Sequence, residues 1–212
     1  MEKKFIITIN REFGSGGRSI GYKIAELLGV KVYDKAILEK LTEQYNLDEE
    51  EIEKLRAKKS HWWDDFCNFY RQFDSLGRSA SEESKKVTSL SLYHTEARII
   101  RGLAKEESCV IIGRSAFHIF KDDPSVFKIM IIADDEHRIQ RLMKRDGISR
   151  IEAIKLMTEA DNAREAYTKT FSGTSRYDAR HYDLVCNVSG YGTDDIASFL
   201  ANLIRRKFQL KH

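Results

Sequence analysis

Phe5-Ile6-Ile7-Thr8-Ile9-Asn10-Arg11-Glu12-Phe13-Gly14-Ser15-Gly16-Gly17-Arg18-Ser19-Ile20 is the stretch on which the fold turns. Phe5 to Ile9 is apolar and largely β-branched, the pattern of a strand buried on both faces of a parallel sheet. A glycine-rich turn follows. Ile20, Ile24, Leu27 and Leu28 then recur at helical spacing, and Gly29 stops the helix. The unit is strand, glycine loop, helix.

Working outward, Val30 to Tyr33 reads as a second short strand ending at Asp34. Asp48 with Glu51 reads as a capping box, and Trp62, Trp63, Phe66, Phe69, Tyr70 and Phe73 as an aromatic helical face. Residues 75–86 are polar and serine-rich, a loop, and 90–106 look helical. Cys109 to Ile112 is a third strand turning at Gly113-Arg114-Ser115. Val126 to Ala133 is a fourth, with Asp134-Asp135-Glu136 at the following helix start, where the dipole favours acids. Ser149-Arg150-Ile151-Glu152 is a second capping box, opening a charged helix towards Tyr167. Leu184 to Val188 is a fifth strand. The last helix places Ile196, Phe199, Leu200, Leu203 and Ile204 on one face. Strands alternating with helices argue for α/β architecture with a five-stranded parallel sheet. Residues 46–95 are more than such a core needs and read as a helical insertion.

Composition narrows the function. Of 212 residues 42% are hydrophobic and 33% charged, which suits one folded domain rather than a disordered chain. Thirty-six basic against thirty-three acidic side chains leave +3, spread along the chain, so no nucleic-acid coat is expected. Cys67, Cys109 and Cys186 lie far apart, and none of His61, His94, His118, His137 and His181 has ligand spacing. Neither a disulfide framework nor a structural metal is expected. The apolar run after Lys4 is too short for a signal peptide or a membrane span, so the expected location is cytoplasmic.

A loop that cradles phosphates needs glycines where the chain folds tightly, a cation, a hydroxyl for Mg²⁺, and the N-terminus of the next helix. Gly14, Ser15, Gly16, Gly17, Arg18 and Ser19 meet those demands between a strand and a helix. Against the pattern GxxxxGK[ST] there are two departures: Glu12 stands at the first glycine and Arg18 at the lysine.

Ile7 to Asp34, then Val110-Ile111-Ile112-Gly113-Arg114, then a DxxR pair in a charged helix, together resemble the cytidylate kinase-like family of P-loop nucleoside monophosphate kinases. The resemblance runs from about residue 4 to 208. It implies a P-loop NTPase fold, with a helical acceptor-side insertion and a lid at about 145–180, in one kinase domain over 1–212. It also implies ATP- and Mg²⁺-dependent phosphoryl transfer to a nucleoside monophosphate, with CMP or dCMP foremost. Gly14 to Ser19 would hold the ATP phosphates, with Ser19 on the metal. Asp34 ends the second strand and would hold a metal-bound water or orient the acceptor. Arg114 and Ser115 match the GRD motif and, with Asp161 and Arg164, would contact the acceptor. Arg141, Arg145 and Arg150 lie in or near the lid, and Arg18, Asp34 and Arg145 are the candidate catalytic residues.

This chain departs from that family at Ser115, which replaces the aspartate of GRD, and at Ile112. The lost aspartate keeps open a kinase of another small metabolite, and Glu12, Arg18 and the missing acid beside Gly113 keep open a nucleotide-binding regulatory protein without turnover. Each residue also has a plainer reading: Asp34 as a helix cap, Asp161 with Arg164 as a solvated i, i+3 ion pair, the lid arginines as surface charges. The aromatic face from Trp62 to Phe73 reads as packing within the insertion or as a homodimer contact. Expected partners are small nucleotides, with neither nucleic acid nor membrane.

Overall fold

The structure, a computed structural model, describes residues 4–34, 93–94 and 97–210. It divides into two units, Met1–Asp34 with Arg101–His212, and Lys35–Ile100. In the second unit Tyr93 and His94 meet edge-on at 5.8 Å, and residues 97–100 are helical. The expected features at Asp48, Trp62 to Phe73 and residues 75–86, with Cys67 and His61, lie outside the described residues.

In the first unit, β1 (Ile6–Arg11) runs into α1 (Gly17–Leu28) and β2 (Lys31–Tyr33). After helical residues 101–106 come β3 (Cys109–Ile112), the short α2 (Ala116–Ile119) and β4 (Val126–Ile132). Then follow α3 (Asp135–Asp146), α4 (Arg150–Ser172), a 3-10 turn at Ala179–His181, β5 (Leu184–Asn187) and α5 (Thr193–Phe208). The five strands form one parallel sheet in the order β2-β3-β1-β4-β5. The chain passes from β3 on one side of β1 to β4 on the other. The loop leaving the C-terminal end of β1 therefore sits where open α/β sheets bind ligands.

The core lies on the face of the sheet covered by α1 and α5. Ile7 and Ile9 of β1, Val110 and Ile112 of β3, and Phe127, Ile129 and Ile131 of β4 alternate onto it. Ile20 and Ile24 of α1 and Ile196, Leu200 and Ile204 of α5 close over them. Gly29, in the left-handed region at φ 66°, ends α1, and the Ser149–Glu152 capping box opens α4.

Four details depart from the sequence reading. β1 runs on through Asn10 and Arg11, because the longer β4 continues the ladder to the Arg11–Ile131 pair. Helix α4 continues past Tyr167, whose ring packs on Phe171 at 4.8 Å, and stops at Gly173. Phe199 is 59% exposed: small Ala197 and Ala201 join Ile196, Leu200 and Ile204 on the inward stripe, which turns position 199 outward. β5 alternates between half-buried and exposed, because it pairs only with β4 and forms the sheet's edge.

Ile129 is fully buried in the central β4. Ile129→Ala should therefore lower unfolding stability by about 2–5 kcal/mol. Urea titration followed by circular dichroism checks this, and a loss under about 1 kcal/mol would remove that residue from the core.

Candidate active site

Helix α1 starts without a side-chain cap: Gly16, at φ 83°, is its N-cap residue. The first-turn amides of a helix have no acceptor inside it, so here they face the glycine loop with the positive end of the dipole behind them. Gly17 must be glycine, since a Cβ there would fall 2.6 Å from that of Arg11. Ser15 donates its hydroxyl to the Glu12 carbonyl at 2.9 Å and accepts from the Gly17 amide at 3.4 Å, which closes the turn.

What holds the loop lies outside it. Asp161 of α4 accepts the Phe13 amide at 2.9 Å, and Arg138 of α3 donates Nε to the Phe13 carbonyl at 2.7 Å. Arg138 also pairs directly with Asp161. Arg164 donates to the Arg11 carbonyl at 3.2 Å, and Arg176, beyond α4, donates to the same carbonyl. The side chains of Asp161, Arg138, Arg164 and Arg176 are all buried. Asp161 and Arg164 thus form no solvated surface pair; they are committed to residues 11–13.

Glu12, which replaces the pattern's first glycine, has a structural task. Its Oε2 accepts the Ala133 amide at 3.0 Å, pinning the loop to the end of β4, and Arg138 lies 3.7 Å from its Oε1. Burial pushes the Glu12 carboxyl above its ordinary range, against the opposing pull of the Ala133 amide and Arg138.

The remaining candidates divide into those at the loop and those turned away. Arg18 Nε lies 2.7 Å from Asp34 Oδ2, and its guanidinium stands over the Tyr22 ring at 5.4 Å. Asp34 is therefore paired to the loop's cation. Ser19 is exposed in the first turn of α1, and Arg141 donates to its hydroxyl at 3.4 Å. The Arg141 guanidinium also borders Gly16, its carbon 3.1 Å from where a Cβ would stand. Arg145 instead donates twice to Asp146, both at 2.6 Å, and covers the Phe13 ring at 5.6 Å. Arg150 is exposed and paired with Glu136 at 2.8 and 2.7 Å.

At the end of β3, Gly113, Arg114 and Ser115 are successively left-handed, at φ 83°, 58° and 49°. The Arg11 guanidinium fills the space a Gly113 side chain would need. Ser115 Oγ meets Thr168 Oγ1 at 3.1 Å, both buried. Among the described residues there is no cluster of three or more His, Cys, Asp or Glu side chains suited to a metal.

Residues 6–190 match the sequence profile of the cytidylate kinase-like family. The chain belongs to the cytidylate kinase-like family. A cytidylate kinase of Methanopyrus kandleri is 28% identical to it over 196 residues, 92% of this chain and 90% of that protein. An uncharacterized protein from Eubacterium ventriosum has a structure similar to this one, with TM-score 0.65 and 22% identity over 98% of this chain and all of that one. A shikimate kinase from Bacteroides thetaiotaomicron follows at TM-score 0.53 and 14% identity, covering 95% and 98% of the two chains. The structural likenesses speak to the fold, a kinase fold of the P-loop class. Membership of the cytidylate kinase-like family carries the coarse assignment of a kinase.

For this cytidylate kinase-like chain, sequence reasoning missed Arg138 and Arg176. Arg138 left a signal: it lies four residues before Leu142 and beside Ile139, so a charge interrupts the apolar stripe of α3. Arg176 left none, in a polar segment without periodicity.

Glu12→Gln tests the burial of the Glu12 carboxyl. Its folded pKa is raised, so between its unfolded and folded values the native state binds more protons than the unfolded one. Wild-type stability then falls as pH rises through that window. The glutamine variant does not titrate, so its urea midpoint relative to wild type should rise from about pH 4 upward and level off above the folded value. A pH-independent difference would show that Glu12 is not desolvated.

Proposed function

We propose that this chain transfers the γ-phosphoryl group of Mg²⁺-ATP to a nucleoside monophosphate, with CMP or dCMP as the first acceptor to test. The observation that carries the reading is the uncapped N-terminus of α1 wrapped by a glycine loop whose backbone is clamped from behind. Family membership and the Methanopyrus relative's name, cytidylate kinase, support the acceptor class.

The residues fit ATP and magnesium. The loop from Gly14 to Ser19 would hold the donor phosphates, and Arg18 would exchange Asp34 for them. The exposed Ser19 hydroxyl suits a metal that keeps most of its waters, and Asp34, once released by Arg18, would accept from one of those waters. Magnesium, when bound, would supply positive charge to the donor phosphates. Arg141 borders both Gly16 and Ser19, so it is the lid-side guanidinium already in place to stabilise charge on the moving group. Arg145 would first have to leave Asp146. Arg114 and Ser115 face the acceptor role. Asp161 and Arg164 enter as the clamp that shapes the donor loop, and a direct acceptor contact would require them to release residues 11–13. No general base is needed, because a phosphate acceptor is already anionic.

One observation favours a second reading. Ser115 meets Thr168 as a hydroxyl pair where a carboxylate would select a cytosine amino group, so another small metabolite fits the same kinase. For both readings we place the enzyme in the cytoplasm. Among the described residues no helix is long and apolar enough to cross a membrane. A homodimer through the insertion remains part of the proposal.

Turnover of Mg²⁺-ATP against all ribo- and deoxyribonucleoside monophosphates tests the reading, with diphosphate product as the readout. Product with CMP or dCMP is expected. Arg18→Ala should weaken Mg²⁺-ATP binding roughly tenfold or more and abolish turnover. Arg114→Ala should mainly raise the acceptor KM. Measurable ATP binding without product from any nucleotide would move the assignment to another metabolite or to a binding protein.

A further inference from the structure

Arg176 is the largest fully buried side chain among the described residues, with 1% of its surface exposed. A guanidinium taken out of water is strongly unfavourable unless its partners are numerous and well placed. Here Nη2 donates to the Arg11 carbonyl and to Asn10 Oδ1 at 3.3 Å, and Nη1 lies 3.6 Å from Asp161 Oδ1. The Tyr177 ring lies 5.2 Å from the guanidinium carbon.

The backbone of Arg176 is fixed as firmly. Its amide donates to Glu165 Oε2 at 3.0 Å, and its carbonyl accepts the Tyr182 hydroxyl at 2.7 Å. The Tyr182 oxygen in turn accepts from Asn10 Nδ2 at 2.6 Å. A closed circuit of hydrogen bonds thus runs from Arg176 to Asn10 to Tyr182 and back, joining the end of β1 to the segment after α4. The carboxylate oxygen that faces Arg176, Asp161 Oδ1, is the one that accepts the Phe13 amide immediately before Gly14.

We infer that Arg176 is a positioning residue of the donor site: by holding the Arg11 carbonyl and Asp161, it fixes the glycine loop in the shape that binds donor phosphates. Among the described residues Arg176 forms no hydrogen bond or ion pair with residues 14–19, so it acts through Arg11, Asp161 and Phe13. This rests on the donor-loop reading above. A role confined to packing would lower thermal stability and leave nucleotide constants alone. A positioning role acts on the donor side selectively.

The test compares wild type, Arg176→Gln, Arg176→Lys and the control Arg180→Gln, whose arginine is exposed and, among the described residues, paired with Asp178. Mg²⁺-ATP affinity is measured by calorimetry on each full chain, and KM for both substrates is measured where turnover exists. Arg176→Gln should weaken Mg²⁺-ATP binding about tenfold, with acceptor KM changed less than about twofold. Arg176→Lys keeps the buried charge but reaches one partner rather than both, so it should bind about threefold more weakly than wild type. Arg180→Gln should match wild type. Asp161→Asn with Arg176→Gln should lose less affinity than the two single losses combined, since the arginine acts in part through that carboxylate and in part through the Arg11 carbonyl. Wild-type Mg²⁺-ATP affinity in a folded Arg176→Gln protein overturns the inference. If that variant does not fold, wild-type affinity in Arg176→Lys overturns it equally. A wild-type chain that binds no Mg²⁺-ATP overturns the donor reading and this inference together, so the two failures are distinguishable.

Discussion

The carboxylate of Asp161 is the constraint on which the site depends. A glycine loop is soft: its glycines permit the turn and do nothing to select it. Here the amide and carbonyl of Phe13 are taken by Asp161 and Arg138, and the Arg11 carbonyl by Arg164 and Arg176. The buried Asp161 is tolerable because Arg138, Arg164 and Arg176 surround it, and Asp161, with Glu12 beside Arg138 and the carbonyls of residues 11 and 13, offsets part of their charge. Removing either sign leaves the other uncompensated in a dry interior, which is far worse than removing both. The sheet and its two covering helices supply stability, and this cluster supplies the shape of the loop.

The same cluster joins the parts of the fold that a phosphoryl-transfer enzyme must coordinate. α3 carries both Arg138, which grips the loop's entry, and Arg141, which lies over its mouth. α4 carries Asp161 and Arg164 against the loop and Thr168 against Ser115 at the end of β3. The glycine loop and the β3 turn therefore share one supporting helix. Arg18 and Asp34 complete the arrangement as an ion pair at 2.7 Å beside the loop.

Most of the architecture was legible in the sequence. β1, β3 and β4 are recognisable because strands buried on both faces read as unbroken apolar runs, and Gly29 and Ser149 mark helix ends by well-understood backbone chemistry. The loop was legible for the same reason, as glycines between such a run and an amphipathic helix. The clamps were not. Arginines in charged helices look like surface residues, because one-dimensional patterns report which face of an element is apolar and not which charges meet across a fold. Asp161 and Arg164 were singled out by motif, yet their commitment to residues 11–13 depends on distances no spacing encodes. Phe199 shows the reverse error: an apolar residue near the right phase that two alanines turn outward.

The separation along the chain between the loop and its clamps bears on how the protein is made. Phe13 and Asp161 are 148 residues apart, and Asn10 and Tyr182 172 apart. During synthesis the glycine loop emerges early, yet the groups that give it shape, Arg138, Asp161, Arg164 and Arg176, all lie beyond β4. A nascent chain that has emerged only through β4 can pair strands and bury isoleucines, but its loop is still unclamped. Each clamp must therefore close over a long chain separation, which makes the shape of the loop a late, non-local event of folding.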